Sequence, residues 1–461
     1  MRIGLLPLGR ATFDVAFANE TLGAMMAALE ATGHDLVGPR ELLFDGAAAS
    51  AAVEALAAEQ IDRLLVLQVT FTDASAIIAA VKGLGVPVAI WSAPEPRLGG
   101  RLRLNAFCGL NLAAHALGLN GIAPAWAHVS PTEAGAVERL SHLLEIKPEL
   151  TQLLITAPAA RNAPGDAAAQ ALRGARIGRL GAPPDGFHTC RHDAARLDAL
   201  AKVTVDELAL DTLFERGRAA EASAVARLRQ SVAATLDDID AVDQPQLDRS
   251  LRLKLALDGL RDEGDYDAFA IRCWPETFTE YGGAVCGPVG IEGEARLPCA
   301  CEADVHGALT QLLLQAAANA PVFLTDIVDA DLADDTVVVW HCGQAPLSMA
   351  SPATPPSATI HTNRKMPLLY QFALKPGPVT LARITAAQGR MALVVAFGEM
   401  LDRPMAFTGT SGVMRPAGGA GQFAERLIGG ALEHHMALAY GDHRDTLAAA
   451  AATLVLPLVR L

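Results

Sequence analysis

The sequence predicts an α/β protein with two doubly wound, Rossmann-like α/β domains followed by a smaller, mostly-β C-terminal domain. Buried-strand patterns alternate with helical patterns over residues 1–150 and again over residues 151–345, which is typical of sheets built from right-handed crossovers. After residue 346 the pattern changes to short β-like runs separated by glycine and proline. We therefore expect domains at residues 1–150, 151–345 and 346–461 of this 461-residue chain.

The first domain has a clear strand and helix pattern but no nucleotide-binding motif. Its predicted elements are strands at 2–7, 63–69 and 86–91 and helices at 21–31 and 75–84. Loops at the strand ends, among them those containing Arg10 and Phe71, are placed to line a crevice. There is no GxGxxG after the first strand and no GxxxxGK[ST], so dinucleotide or P-loop binding has little support.

The second and third domains differ in the spacing of their apolar runs. The second is predicted to contain strands at 153–156, 175–180 and 266–274, a helix at 165–173 and a charged, helix-rich segment at 219–263. The third is predicted to contain β-like runs at 368–373, 379–384, 391–397 and 404–408 and a helix at 423–433. Such short, punctuated runs are typical of a small β domain or barrel.

Residues 298–343 contain the most chemically informative stretch. An apolar run ends in Glu302, a helical segment follows, a second run ends in Asp326 and a third ends in His341. Strand, helix and strand in this order predict a parallel βαβ unit, whose neighbouring strand ends would bring Glu302 and Asp326 side by side. The short connection at 327–335 favours antiparallel pairing for the third run. Paired carboxylates with a histidine suit a hard divalent cation or acid/base catalysis.

Each of these residues also has a structural interpretation. Glu302 can interact with a helix N-terminus, Asp326 can cap a loop, and His341 can be a hydrogen-bonded core histidine. Adjacent histidines point in different directions, so at most one of His434 and His435 is expected to face a shared site. A mainly structural role is assigned to the remaining candidates, His306, His361, His443, Asp304 and Asp329.

The composition excludes several classes of function. A net charge of −14 argues against binding to nucleic acid and to anionic membranes. Seven scattered cysteines and the absence of a signal-peptide pattern favour a reduced, cytoplasmic protein without a structural zinc site. No sufficiently long apolar stretch predicts a membrane span. A hydrophobic fraction of 51% indicates well-packed domains.

The chain resembles the L-fucose isomerase / L-arabinose isomerase superfamily along its whole length. The resemblance rests first on Arg272-Cys-Trp-Pro, Cys301-Glu-Ala-Asp-Val-His-Gly-Ala-Leu-Thr, Phe323-Leu-Thr-Asp326 and Trp340-His-Cys-Gly. It continues with Leu374-Lys-Pro-Gly-Pro-Val-Thr-Leu-Ala-Arg383, Gly398-Glu399, Thr408-Gly-Thr-Ser-Gly412 and His434-His-Met-Ala-Leu-Ala-Tyr-Gly-Asp442.

The resemblance implies a divalent metal, most often Mn²⁺, with Mg²⁺ or Co²⁺ as alternatives. The fucose branch implies Glu302, Asp326 and, in preference to His434, His435 as ligands. The arabinose branch implies a further histidine where His341 stands, and we rank that ligand last. Glu302 and Asp326 are also the implied proton carriers.

The implied reaction interconverts an aldose and its ketose through a cis-enediol. Candidates for contacting the sugar are Arg272, Trp274, Glu276 and Arg383. The alternatives are an isomerase of a sulfonated or deoxy sugar, an epimerase or lyase of sugar acids, and a catalytically silent sugar-binding or regulatory relative. The expected partner is a small-molecule sugar, and a homo-oligomer, with a hexamer as one option, is implied.

Overall fold

The computed structural model describes residues 1–153, 155–156 and 160–461, and its first unit is a parallel sheet flanked by helices. The strand order is β2-β1-β3-β4-β5, as in flavodoxin-like doubly wound folds. Its strands are β1 (Arg2–Leu8), β2 (Asp35–Val37), β3 (Arg63–Gln68), β4 (Val88–Ser92) and β5 (Ala125–His128). Its helices are α1 (Val15–Glu30), α2 (Gly46–Ala57), α3 (Ser75–Leu84), α4 (Ala106–Leu119) and α5 (Ala136–Glu145). The predicted α/β class is confirmed.

A second parallel sheet has the order β10-β9-β7-β8. The strands of this part of the chain are β6 (Ile155–Thr156), β7 (Arg176–Leu180), β8 (Thr204–Leu208), β9 (Ala268–Ile271) and β10 (Cys299–Cys301). The helices are α6 (Ala163–Gln170), α7 (Ala194–Ala201), α8 (Leu210–Ala219), α9 (Ala222–Ala233), α10 (Gln244–Gly264), α11 (Cys286–Glu294) and α12 (Val305–Ala318). Strand β6 does not join this sheet. It belongs to the strand predicted at 153–156, of which residue 154 lies outside the described residues.

The third sheet contains a closed ring of six antiparallel strands. Its strands are β11 (Phe323–Asp331), β12 (Thr336–His341), β13 (Ser357–Thr359), β14 (Leu369–Ala373), β15 (Gly377–Thr385), β16 (Ala392–Met400), β17 (Thr410–Pro416), β18 (His435–Tyr440) and β19 (Leu458–Arg460). Pairing runs β17-β12-β11-β18-β15-β16, and β16 pairs again with β17, which closes a barrel. The remaining helices are α13 (Ala420–Ala424) and α14 (Arg444–Thr453), with π-helical turns at Thr277–Tyr281 and Glu425–Gly429.

The predicted parallel pairing of the strands that carry Glu302 and Asp326 was wrong. Strand β10, which precedes Glu302, belongs to the second sheet, whereas β11, which contains Asp326, pairs antiparallel with β12 and β18 in the barrel. The antiparallel pairing favoured for the third run is confirmed by the β11–β12 ladder. Strands β11 and β12 also pair with β18 and β17, which lie beyond position 345. The three domain boundaries stay predictions.

Helix α12 lies between the second sheet and the barrel. Its residues 305–314 are all buried, because one side packs on Ala268 and Ala300 and another on Leu324 and Ala437. Such a helix needs no polar face, which explains its continuous apolar sequence. Since Glu302 lies just before α12, this packing brings it over the outer surface of the barrel.

Two further features concern the chain as a whole. Among the described residues, no helix is long and apolar enough to cross a membrane. All seven cysteines are free, and six of them are buried, which agrees with the expectation that they pack as small core residues.

Candidate active site

Glu302 lies in a strained turn between β10 and α12. Glu302 and Ala303 both have left-handed backbone angles, with φ of 59° and 56°. Two successive non-glycine residues in this region cost about 1–3 kcal/mol each, and such strain is concentrated at functional sites. Hydrogen bonds from Ala303 N to Ile271 O and from Asp304 N to Cys301 O hold the turn in place. Asp304, and not Glu302, is the N-cap of α12.

Asp326 and His435 lie directly opposite each other on β11 and β18. Residues opposite one another on antiparallel strands project from the same face, so both side chains leave the barrel on the side of α12. The Nε2 atom of His435 lies 3.4 Å from Asp326 Oδ1 and 3.5 Å from Glu302 Oε2. The three residues implied as ligands therefore converge, although three different elements carry them.

His434 reaches the same site as His435, contrary to the expectation that at most one of them faces it. Their rings stack with centroids 4.0 Å apart. His434 occupies a bend immediately before β18, so the alternation of side chains along a strand does not apply to it. Its Nε2 lies 3.1 Å from Glu302 Oε2 and 3.9 Å from Asp326 Oδ1.

A buried ion pair between Asp304 and Arg383 supports this cluster from behind. Arg383 donates two hydrogen bonds to Asp304, over 2.5 and 3.0 Å, and both side chains are buried. Burial raises the pKa of Asp304, but the charge of Arg383 and the hydrogen bond with His435 outweigh it and hold this pKa well below its usual range. Asp304, to which the sequence assigned a structural role, is therefore an ionised acceptor for His435 Nδ1, 2.9 Å away.

The resulting arrangement of acceptor atoms fits a cation. Because Asp304 accepts a hydrogen bond from Nδ1 of His435, the neutral form of the ring that binds a metal has the lone pair of Nε2 directed at Glu302 and Asp326. Asp326 Oδ1 and His435 Nε2 are buried without a hydrogen-bond partner among the described residues. Buried acceptors that face one another are costly unless a positive charge lies between them. This donor set of carboxylates and imidazole suits a divalent metal.

Hydrogen bonding also constrains Glu302 and His341. Trp274 Nε1 donates to Glu302 Oε1 over 3.1 Å. Burial raises the pKa of Glu302, but the hydrogen bond with His434 and the nearby histidine charges outweigh it and lower this pKa to about 2. Cys342 N donates to His341 Nδ1 over 2.9 Å, which favours the neutral ring that carries its proton on the unpartnered Nε2. That tautomer makes His341 Nε2 a hydrogen-bond donor. His341 nevertheless lies close enough to Asp326 and His435 for these three side chains to hold a metal ion together.

Comparison with known proteins identifies the family. Residues 4–146 match the fucose/sulfoquinovose isomerase N-terminal domain, and residues 339–460 match the L-fucose isomerase C-terminal domain. The chain belongs to the fucose isomerase-like sugar isomerase family. It is an aldose–ketose isomerase, and the silent sugar-binding alternative is not supported.

Curated relatives of this isomerase match over nearly the whole chain. A sulfoquinovose isomerase of Alkalicoccus urumqiensis is 31% identical over 450 residues, covering 95% of this chain and 94% of the relative. Another from Priestia megaterium is 29% identical over 449 residues, covering 96% and 95%. Among solved structures, the first ketoreductase of the tylosin PKS is 16% identical with a TM-score of 0.25, covering 65% of this chain and 78% of that chain, and at that score the similarity carries no argument.

The site of the isomerase opens into a pocket lined by all three parts of the chain. Residues that follow strands of the two parallel sheets, Arg10, Phe71, Trp274 and Glu302, meet Asp326 of the barrel there. Ligand sites at the carboxyl ends of parallel strands are the general rule for α/β sheets. The expectation that the loops of Arg10 and Phe71 line a crevice is confirmed.

The four predicted sugar-contacting residues lie in three different settings. Trp274 lines the pocket. Arg272 and Glu276 form an ion pair 2.7 Å long and do not line it. Arg383 is buried behind the ligand cluster, where its two Nη atoms donate to Asp304 and to Thr189 O. Their roles toward a sugar stay predictions.

Sequence reasoning assigned no site role to His434, Asp304 or Arg364. Asp304 carried one usable signal, an aspartate two positions after Glu302 at the start of an apolar helix, but that signal indicates only a cap. Arg364, which lines the pocket from a loop after β13, carried no signal, because an isolated arginine in a loop is most often a solvated charge.

Proposed function

We propose that this isomerase interconverts sulfoquinovose, the 6-deoxy-6-sulfo form of glucose, with the corresponding ketose, and that it requires a divalent metal, most often Mn²⁺ in this superfamily. The names of the relatives support the sugar. The metal is supported by one observation above all: Asp326 Oδ1 and His435 Nε2 are buried, unpartnered acceptors beside Glu302. The family is metal-dependent in general, and the cluster contains residues of ligand type.

Glu302, Asp326 and His435 are the proposed ligands. When bound, the metal would act as a Lewis acid for the sugar oxygens at C1 and C2 and stabilise negative charge there. His341, ranked last from the sequence, is favoured by its tautomer as a hydrogen-bond donor to the substrate. Its role as a fourth ligand stays a prediction.

The proton transfers are assigned to the two carboxylates. Glu302 is ionised at neutral pH, so a carboxylate is available to take the proton from C2 of the open-chain aldose and return it to C1. The cis-enediol formed in between also needs a proton moved between O1 and O2, for which Asp326 and the donor His341 are the available groups. Trp274 fixes Glu302 through its indole N–H, and His434 fixes the other oxygen of the same carboxylate.

The proposal is tested by turnover in deuterated water. Metal-loaded protein is expected to convert sulfoquinovose and to incorporate deuterium at C1 or C2, and chelation is expected to abolish turnover. Glu302→Gln should lose activity, whereas Glu399→Gln, an exposed glutamate on β16, should not. Deuterium at C3 or beyond, with none at C1 or C2, would indicate an epimerase, and full activity after chelation would contradict the metal.

The cytoplasmic location, the homo-oligomer and the absence of nucleic-acid and membrane partners belong to the same proposal. They rest on the net charge of −14, the free cysteines and the superfamily. Sedimentation of the metal-loaded protein at working concentration is expected to give an oligomer, and a monomer would contradict this part.

A further inference from the structure

Arg364 presents an unpaired guanidinium group to the active-site pocket. It lines the pocket together with its loop neighbours His361 and Asn363. Among the described residues, its guanidinium forms neither an ion pair nor a hydrogen bond with a protein group. A half-buried arginine without a carboxylate partner is unusual, because five donors are then left for a ligand or for water.

Arg10 places a second positive charge beside Arg364. The Cζ atoms of Arg10 and Arg364 lie 5.3 and 5.7 Å from the ring centroid of Trp274. One nitrogen of Arg10 donates to Asp73 over 2.8 Å, and its other guanidinium nitrogens donate to no described residue. Both arginines therefore have free donors close to one indole ring, and both line the pocket.

The indole of Trp274 contacts both the two arginines and Glu302, the proposed proton carrier. Trp274 Nε1 donates to Glu302 Oε1 while its ring contacts both guanidinium groups. Glu302 is thus separated from the arginines by no more than one aromatic ring and one hydrogen bond. A sugar whose C1 and C2 lie at Glu302 would therefore have its far end in the same pocket as the two arginines.

The surrounding charges leave this end of the pocket positive. The nearby carboxylates are already engaged, since Asp73 pairs with Arg10 and Glu276 pairs with Arg272. Burial lowers the pKa of Arg364, and the nearby charge of Arg10 lowers it further because the two like charges repel. An anion bound between them would relieve that repulsion.

The loop of Arg364 is held by a third arginine. Arg101 donates through Nε and Nη2 to Asn363 Oδ1, over 3.2 and 2.7 Å, and through Nη2 to Thr12 O over 2.8 Å. It thereby ties the loop to the N-terminal unit. Within the loop, Asn363 N and Arg364 N both donate to His361 Nδ1. These contacts fix the position of Arg364 before any ligand arrives.

We propose that Arg10 and Arg364 form an anion subsite that binds the terminal anionic group of the sugar, a sulfonate if the proposed function, on which this inference rests, is correct. A sulfonate offers three acceptor oxygens and no donor, which suits two guanidinium groups. The subsite recognises the sugar by its terminal anionic group, which lies at the end of the carbon chain opposite C1 and C2. It explains how a scaffold of the fucose isomerase family can prefer an anionic substrate.

The test compares charged and neutral sugars on the metal-loaded protein. Arg364→Met is expected to raise KM for sulfoquinovose about 10- to 100-fold, as expected for the loss of charge-assisted hydrogen bonds, and to leave kcat/KM for 6-deoxyglucose nearly unchanged. Arg364→Lys should recover part of the loss. Arg218→Met is the matched control, because Arg218 also stacks on aromatic rings, those of Phe214 and Tyr281, but outside the pocket.

Equilibrium binding separates this inference from the proposed function. If sulfoquinovose binds more tightly than 6-deoxyglucose and Arg364→Met removes the difference, the subsite is supported even without turnover. Tighter binding of glucose 6-phosphate than of sulfoquinovose would support the subsite but assign it to a phosphate, against the proposed substrate. Equal losses for charged and neutral sugars in Arg364→Met would overturn the subsite, whatever the enzyme turns over.

Discussion

Asp304 accepts a hydrogen bond from Nδ1 of His435 over 2.9 Å, and this contact decides which nitrogen of His435 faces Glu302 and Asp326. Arg383 keeps Asp304 ionised, so the direction of the hydrogen bond is fixed. A carboxylate behind a ligating histidine is a common way to orient the ring and strengthen the ligand. The relationship connects the start of α12 with the start of β18.

Replacement of Asp304 tests this relationship. Asp304→Asn is expected to weaken Mn²⁺ binding about 10- to 100-fold, because the tautomer of His435 is no longer enforced. It should also lower the free energy of unfolding, since Arg383 loses its charged partner. Metal affinity is measured by titration under conditions in which the variant is folded.

The control is Glu433→Gln, which removes another buried carboxylate near Arg383. Glu433 accepts hydrogen bonds from Thr385 and Ala386. It accepts none from His434 or His435. If both variants lost metal affinity to the same extent, Asp304 would have no specific role in orienting His435.

The role of His341 is decided by separating metal affinity from turnover. His341→Gln is expected to lower kcat about 100-fold, the size of a lost acid/base contribution, while Mn²⁺ affinity changes little. The reason is the hydrogen bond from Cys342 N, which favours a protonated Nε2. His435→Gln serves as the reference for a lost ligand. A comparable loss of affinity in His341→Gln would instead make His341 the fourth ligand.

Trp274 is expected to act on catalysis through Glu302. Trp274→Phe keeps an aromatic ring beside Phe187 but removes the N–H that binds Glu302. Since a hydrogen bond to a charged group contributes about 1.5–3 kcal/mol, kcat should fall about 10- to 100-fold. Steady-state kinetics measure the change. Trp91→Phe removes an equivalent indole donor, bound to Val129 O in the first unit, and should reduce stability while leaving kcat unchanged.

Glu292 predicts a pH dependence of stability away from the active site. Burial raises its pKa from 4.5 to about 7, and Lys254, 3.5 Å away, offsets this only in part. Between pH 4.5 and 7 the folded protein therefore retains a proton that the unfolded chain releases, so the free energy of unfolding falls as pH rises.

Glu292→Gln removes this titration. Relative to the wild type, the variant should gain stability as pH rises from 5 to 8, by about 1–3 kcal/mol in total, measured by urea unfolding at several pH values. Glu294→Gln, exposed at the end of the same helix, is the control. A difference that did not change with pH would show that Glu292 is ionised in the folded protein throughout this range.

The sequence by itself determined the α/β class, the β-rich C-terminal part and the family, because these depend on local hydrophobic periodicity and on motifs. The same motifs indicated Glu302, Asp326 and His435 as candidate site residues. It also indicated, from a short connection, that β11 and β12 pair antiparallel. Local patterns extend over one element and its turns, and within that range the predictions largely held. The β-like run predicted at 404–408 was wrong, because these residues form a loop between β16 and β17.

Only the tertiary structure decided what lies beside these residues. Pairing of β11 with β18 joins segments more than 100 positions apart, and no local pattern records such a partner. Side-chain directions depended on local backbone geometry, namely the left-handed turn at Glu302 and the bend at His434. The ion pair of Asp304 with Arg383 and the meeting of Arg10 with Arg364 follow from the same long-range packing, because charges find their partners only after the units pack together.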